Sequence, residues 1–378
     1  MAHGSTTLVR LFLVTAFSLS LSLQTARAAF ARGPFPHPLI GHHSSFVDTG
    51  AVALGRRTPR LAKAPFYSLL VAFGASYTDN AHPRLAKWNN TFRDYYPYSK
   101  FDSKYTNGKI AVEYMIESGL SPALKHQKGG GVALQDYAYG GSVIENGLGG
   151  TNANAPSIVD QVSMYRSDLK THRLEGAPGR VLHYFNSGIN PVQQIWYNAM
   201  AQNFTKRAKA TAVSSLSANV KSYAASIESI AKDKLVKSNF FELDFLLVGI
   251  PHLEIVPSLA HQVLKSTSEA DALAFIKQLS CQYNDEVQAL AVTIKKKFRH
   301  SRVFFYDMAK LWYSIYGSPS AYNLSVSPIT TPCYNSTLGA LCQNPNSYLY
   351  FDTLHPTTAV HKIIAEEMNA LVLGKSSG

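Results

Sequence analysis

Charge is scarce in this chain. Only 16% of its 378 residues are charged, and acid is scarcer than base, with 24 Asp and Glu against 36 Lys and Arg. Low charge together with 46% hydrophobic residues excludes a disordered chain. Cysteine is scarcer still: three residues cannot frame a disulfide-knotted miniprotein. No glycine period marks a collagen, no segment repeats, and neither His-Glu-x-x-His nor a paired Cys/His spacing marks a metal site. No apolar run reaches the roughly 20 residues of a transmembrane helix. What is present is length enough for one large domain or two small ones, with chain to spare for a core.

The longest apolar run, Leu11 to Leu23, is thinned by serines, preceded by Arg10 and followed by Ala26-Arg27-Ala28. A basic start, a short apolar stretch and a small-x-small ending describe a secretory signal peptide, here residues 1–28. Its removal takes Arg10 and Arg27 and no acid, so the formal charge of +12 falls to +10. Secretion makes the Asn-x-Ser/Thr sequons at Asn89, Asn203, Asn323 and Asn335 candidate glycosylation sites. It also places the cysteines in an oxidising compartment. Cys333 and Cys342 lie nine apart in a Pro/Asn/Gly-rich loop and are expected to pair, leaving Cys281 as a buried thiol in a helical pattern.

Residues 29–66 are rich in Pro, Gly, His and Arg without periodicity, and read as a loose extension. The folded domain is expected over 67–378. Short apolar runs ending in glycine or polar turns predict parallel strands at Tyr67 to Phe73, Val132 to Ala138, Arg180 to Phe185, Phe240 to Val248 and Arg302 to Tyr306. Helical patterns lie between them: Ser157 to Leu169, one or two helices from Pro191 to Lys232, Ser268 to Phe298, and Pro356 to Leu373 with Gly374 as its stop. Alternating strands and helices predict an α/β fold of three layers, α/β/α, around a five-stranded parallel sheet.

Ligands of such sheets bind beyond the carboxyl ends of the strands. Four stretches fall there: Gly74-Ala75-Ser76-Tyr77-Thr78-Asp79, Asp136-Tyr137-Ala138-Tyr139-Gly140-Gly141-Ser142, Gly188-Ile189-Asn190-Pro191 and Asp352-Thr353-Leu354-His355-Pro356. They supply a hydroxyl, backbone amides, a carboxamide and a carboxylate–imidazole pair, the inventory for ester hydrolysis by a serine nucleophile. Each alone has a plainer reading: a tight turn at Gly140-Gly141, a helix cap at Asn190, a capping Asp and surface imidazole at 352–355.

In this order and these places, the four stretches resemble the blocks of the GDSL, or SGNH, family of serine esterases and lipases, especially its secreted fungal members. The resemblance runs from about residue 68 to 370 and implies the SGNH-hydrolase (flavodoxin-like) fold. It implies Ser76 as nucleophile, His355 as general base and Asp352 as its orienting carboxylate. It implies an oxyanion hole made of the Ser76 N–H, the Gly141 N–H and the Asn190 side chain; the sequence alone does not separate Gly141 from Gly140. It implies no cofactor and no metal. Two positions depart from the family pattern. Ala75 stands where the family has the Asp that supports the turn, and Pro191 stands where it has an Asp after the third-block Asn. They keep open a non-catalytic protein on the same scaffold.

The substrate implied is a small-molecule or oligosaccharide ester. With no long apolar lid in the sequence, the first expectation is removal of short acyl (acetyl) groups from carbohydrate, with Tyr77, Trp88, Tyr139 and Trp196 as candidate sugar platforms. A lipase or lysophospholipase activity on lipid esters is the alternative. The basic clusters Lys206-Arg207-Ala208-Lys209 and Lys295 to Arg302 are read as solvated helix C-termini, not as a nucleic-acid surface. Weak electrostatic contact with anionic cell-wall or lipid surfaces is the most they are expected to give.

Overall fold

A computed structural model describes residues 67–81, 101, 103–118, 120, 132–152, 154–172, 174 and 177–374. The expected signal peptide, the extension over 29–66, the Asn89 sequon and Trp88 lie outside the described residues.

Five parallel strands form the sheet: β1 (Tyr67–Gly74), β2 (Ala133–Asp136), β3 (Ala177–Asn186), β4 (Phe240–Val248) and β5 (Val303–Tyr306). Their order is β2-β1-β3-β4-β5. All five match the sequence expectation to within a few residues. β1 is buried almost throughout because it lies inside the sheet with helices on both faces, which is why it reads as an unbroken apolar run. Its partners β2 and β3 run alongside it, pairing Ala72 with Asp136 on one side and Tyr184 on the other.

The helices are α1 (Ala111–Ser118), α2 (Ile158–Lys170), α3 (Ile189–Met200), α4 (Lys206–Lys232), α5 (Lys234–Asn239), α6 (Pro257–Val263), α7 (Glu269–Lys297), α8 (Met308–Gly317) and α9 (Thr358–Leu373). They fall into two packed groups, α1 against α9, and α2, α3, α4 and α7 against one another, which makes the outer layers of an α/β/α sandwich. Helix α2 starts where it does because Ser157 and Asp160 form a reciprocal capping box. Helix α9 stops at Gly374, which takes a left-handed conformation at φ 66°. Among the described residues no helix is long and apolar enough to cross a membrane.

Three local expectations are corrected. Pro356 precedes the N-cap Thr357 of α9 and lies outside its first turn, where it is drawn into a bridge with Tyr350. Lys206 and Arg207 open α4 instead of closing a helix; Lys209, one turn in, is offset by an ion pair with Asp271 on α7. Cys281 on α7 is half-buried, not buried. Cys333 and Cys342 form the expected disulfide, with S–S at 2.01 Å. It closes a small antiparallel hairpin, β6 (Tyr334–Asn335) and β7 (Ala340–Leu341). Asn203, Asn323 and Asn335 are all exposed.

Candidate active site

The order β2-β1-β3-β4-β5 reverses direction between β1 and β3, and such a switch point opens a crevice at the strands' carboxyl ends. Ser76 leaves the end of β1 and Ser187-Gly188 leaves the end of β3, so both flank that crevice. The nucleophile turn is held by its own backbone: the carbonyl of Ala75 accepts the N–H groups of Thr78 at 2.9 Å and Asp79 at 3.0 Å. The carboxylate missing at position 75 therefore leaves the turn closed.

His355 arrives from the far end of the chain. Its Nε2 lies 2.7 Å from Ser76 Oγ, and its Nδ1 lies 2.8 Å from Asp352 Oδ2. The other oxygen, Asp352 Oδ1, accepts the backbone N–H groups of Leu354 and His355, each at 2.7 Å. Burial pushes the Asp352 carboxyl up, but the His355 imidazole and these backbone donors outweigh it and bring the group down to about 2. Asp352 is thus an anion at any pH near neutrality. Ser76 and His355 are both buried.

Tyr77 braces this arrangement. Its hydroxyl donates to Leu354 O at 2.7 Å, and its ring lies 5.7 Å from the His355 ring on one side and 6.1 Å from the buried His361 ring on the other. Burial first, then the His355 charge, lowers His361 to about 3, so the second imidazole is neutral. Tyr105 lies 5.0 Å from His355, and it fits only because position 140 is glycine: a Cβ there would stand 1.9 Å from the Tyr105 hydroxyl oxygen.

The three expected oxyanion donors are held by neighbours. Gly140 spends its N–H on Asp79 Oδ2 at 2.7 Å, which leaves Gly141 as the available amide of the pair. Neither the Ser76 N–H nor the Gly141 N–H has an acceptor among the described residues. Asn190 does not cap α3. Gly188 does, with φ 144° and Tyr283 packed where a Cβ would stand, and Asn190 falls inside the first turn. From there one Nδ2 hydrogen donates to Ser142 O at 2.9 Å, leaving the second. Pro191, one residue on, fits a first turn whose N–H has no helical acceptor.

Gln161 joins these parts and was not foreseen. It is fully buried on α2. Its Oε1 accepts the Gly74 N–H at 2.9 Å, and its Nε2 reaches Gly74 O at 2.9 Å, Ser142 Oγ at 3.0 Å and Pro156 O at 3.1 Å. One carboxamide thereby fixes the strand end before Ser76 to the loop after Gly141. Its signal in the sequence was a polar residue on the buried stripe of α2, among Ile158, Val162, Tyr165 and Leu169. Gln161→Leu strands the Gly74 peptide groups. We expect kcat on a soluble ester to fall toward about 10²-fold with KM nearly unchanged, because the donors shift relative to the nucleophile. An unaltered kcat would show the clamp to be structural only.

A separate cleft of about 500 Å³ is lined by His252, Cys281, Asp285, Asp307, Lys310 and Tyr313 and shares no residue with the triad. Burial and the nearby Glu254 raise the Cys281 thiol, which keeps it protonated and a poor nucleophile.

Residues 70–368 match the family model described as GDSL-like Lipase/Acylhydrolase. The chain belongs to this family. As a GDSL-like acylhydrolase it is an ester-bond hydrolase. It is 19% identical over 357 residues to GDSL esterase/lipase At2g31550 of Arabidopsis thaliana, covering 87% of this chain and 96% of the relative. It is 24% identical over 106 residues to sinapine esterase of Brassica napus, covering 25% of this chain and 27% of the relative. Among solved structures it is similar to phospholipase A1 from Streptomyces albidoflavus NA297, at 15% identity and a TM-score of 0.36, over 82% of this chain and 99% of that one.

Proposed function

We propose that the chain hydrolyses carboxylic esters through Ser76, His355 and Asp352, and that its substrates are lipid-like esters with apolar acyl chains. The observation that carries the first part is the unbroken relay of 2.7 Å and 2.8 Å from Ser76 Oγ through the imidazole to Asp352. Ser76 Oγ attacks the ester carbonyl while His355 Nε2 takes its proton. The developing oxyanion accepts from the N–H groups of Ser76 and Gly141 and the free Nδ2 hydrogen of Asn190. His355 then returns the proton to the departing alcohol, and a water activated by the same imidazole releases the acyl group from Ser76.

The substrate reading rests on which side chains are accessible. Removal of acetyl groups from carbohydrate asks for open aromatic faces. Tyr77 and Tyr139 are buried, and Trp196 is fully buried with its Nε1 donating to Ala272 O at 2.9 Å, so these three expected platforms serve the core. The 41 residues before Asp352, Leu311 to Phe351, carry no charged side chain, which favours the lipid side. A series of p-nitrophenyl esters from acetate to laurate, run beside acetylated xylo-oligosaccharides, tests the choice. We expect kcat/KM to rise as the acyl chain lengthens beyond acetyl. A maximum at acetyl with turnover of the oligosaccharide would return the enzyme to carbohydrate.

We further propose that the protein is exported. The signal-like start and the Cys333–Cys342 disulfide support this, since such bonds persist in oxidising compartments. The exposed Asn203, Asn323 and Asn335 would then be open to glycosylation. A mature N-terminus at Ala29 and a mass loss on glycosidase treatment are the expected results; full-length protein held inside the cell would overturn the reading.

A further inference from the structure

From Leu311 to Phe351 the chain has 41 residues without one Asp, Glu, Lys, Arg or His. Elsewhere charge is spread along the sequence at a frequency that would place several in a stretch of this length. Asp352 follows it directly, so the stretch runs into the catalytic loop, Asp352 to His355. Cys333 N–H donates to Tyr350 O at 3.0 Å and Tyr334 N–H to Phe351 O at 2.6 Å, while the Tyr334 and Phe351 rings stack at 5.3 Å with Phe101 edge-on to both. The hairpin β6–β7, closed by Cys333–Cys342, is therefore fixed at its base to the two residues that precede Asp352.

Its tip is the reverse of its base. Leu338 is 74% exposed, the most exposed of the large apolar side chains among the described residues, and Leu341 beside it is 37% exposed. The turn is ordered with the leucine outward: Asn335 Oδ1 accepts the N–H groups of Thr337 and Leu338 at 3.0 Å and 3.1 Å. Half-buried tyrosines, Tyr322, Tyr334 and Tyr348, belong to the same stretch. Two outward leucines on an uncharged turn, with tyrosines in the same stretch, suit entry into a lipid–water interface, where each buried charge is costly and tyrosine is favoured.

We propose that the Cys333–Cys342 hairpin is an interfacial anchor that inserts Leu338 into the surface of a phospholipid aggregate and sets the catalytic loop against it. This rests on the ester-hydrolase reading of Ser76 and deepens its substrate side. The anchor is apolar, so its hold does not depend on the basic residues elsewhere in the chain. Asn335, whose carboxamide closes the turn beneath Leu338, is also a sequon, so a glycan there would sit beside the tip; the anchor is a property of the chain without that glycan, and the test uses protein made without it.

The test uses the full chain, with Leu338→Asp and Leu338→Trp, sedimented with phosphatidylcholine vesicles across a range of NaCl. We expect the wild type to bind independently of salt, Leu338→Asp to partition about 10-fold or more weakly, and Leu338→Trp to bind at least as well as wild type. All three should melt alike and hydrolyse soluble p-nitrophenyl butyrate at the same rate, because Leu338 touches neither core nor triad. A wild type that stays in solution, a Leu338→Asp variant that still sediments, or binding dispersed by salt would each overturn the anchor. So would a Leu338-dependent dimer, which would make a second copy the occupant. Failure on the soluble ester counts against the ester-hydrolase reading instead, whatever the vesicles show.

Discussion

Ser76→Ala is expected to lower kcat on a soluble ester by about 10⁶-fold, the loss seen where a serine and its base act as one unit. His355→Ala should cost about as much, and the double variant little more. Once Ser76 Oγ is gone, the imidazole 2.7 Å away has no proton to take. The residual rate over water would come from the oxyanion donors, which neither change removes. Steady-state rates, with titration by a serine-directed organophosphate to count sites, check this. Equal rates in wild type and Ser76→Ala would leave a non-catalytic protein on a hydrolase scaffold.

Asp352→Asn is expected to lower kcat by about 10⁴-fold with the fold intact. An amide in place of Asp352 Oδ2 can present an N–H to His355 Nδ1, which stabilises the tautomer with its proton on the wrong nitrogen. An unchanged melting temperature separates this from a packing defect. Asp352 is lowered to about 2, so it is ionised wherever the wild type is assayed near neutrality. The stability contribution has its own window. A carboxyl lowered on folding stabilises above its unfolded value of about 4, and loses that contribution as pH falls from there toward 2. Acid inactivation above about pH 4 is therefore not due to Asp352. A kcat within about 10-fold of wild type in Asp352→Asn would show that Asp352 does not serve as the orienting carboxylate.

The strands and the site were legible for different reasons. Buried parallel strands announce themselves as apolar runs, and β1 and β4 needed no other signal. The candidate site was legible because the expected nucleophile turn, the two expected oxyanion loops and the Asp-x-x-His turn each occupy a strand end or a helix start. What escaped were features that depend on partners distant in sequence. Gln161 is 87 residues from Gly74, and nothing local says that a helical glutamine will clamp a strand end. The burial of Trp196 and Tyr77, which removed them as sugar platforms, depends on α7 supplying a carbonyl and on Leu354 doing the same. The basic start of α4 was misplaced because the turn after Met200 has no glycine or proline to mark it.

Ser76 and His355 are 279 residues apart, and the imidazole lies three residues before α9, the helix that packs against α1. Thr358 on α9 is fastened there by Asn107 Oδ1, which accepts its N–H at 3.0 Å, and by Lys109 O. The geometry between Ser76 and His355 therefore depends on contacts well outside the site: a change that loosens α9 from the residues before α1 would displace the imidazole while leaving every site residue in place.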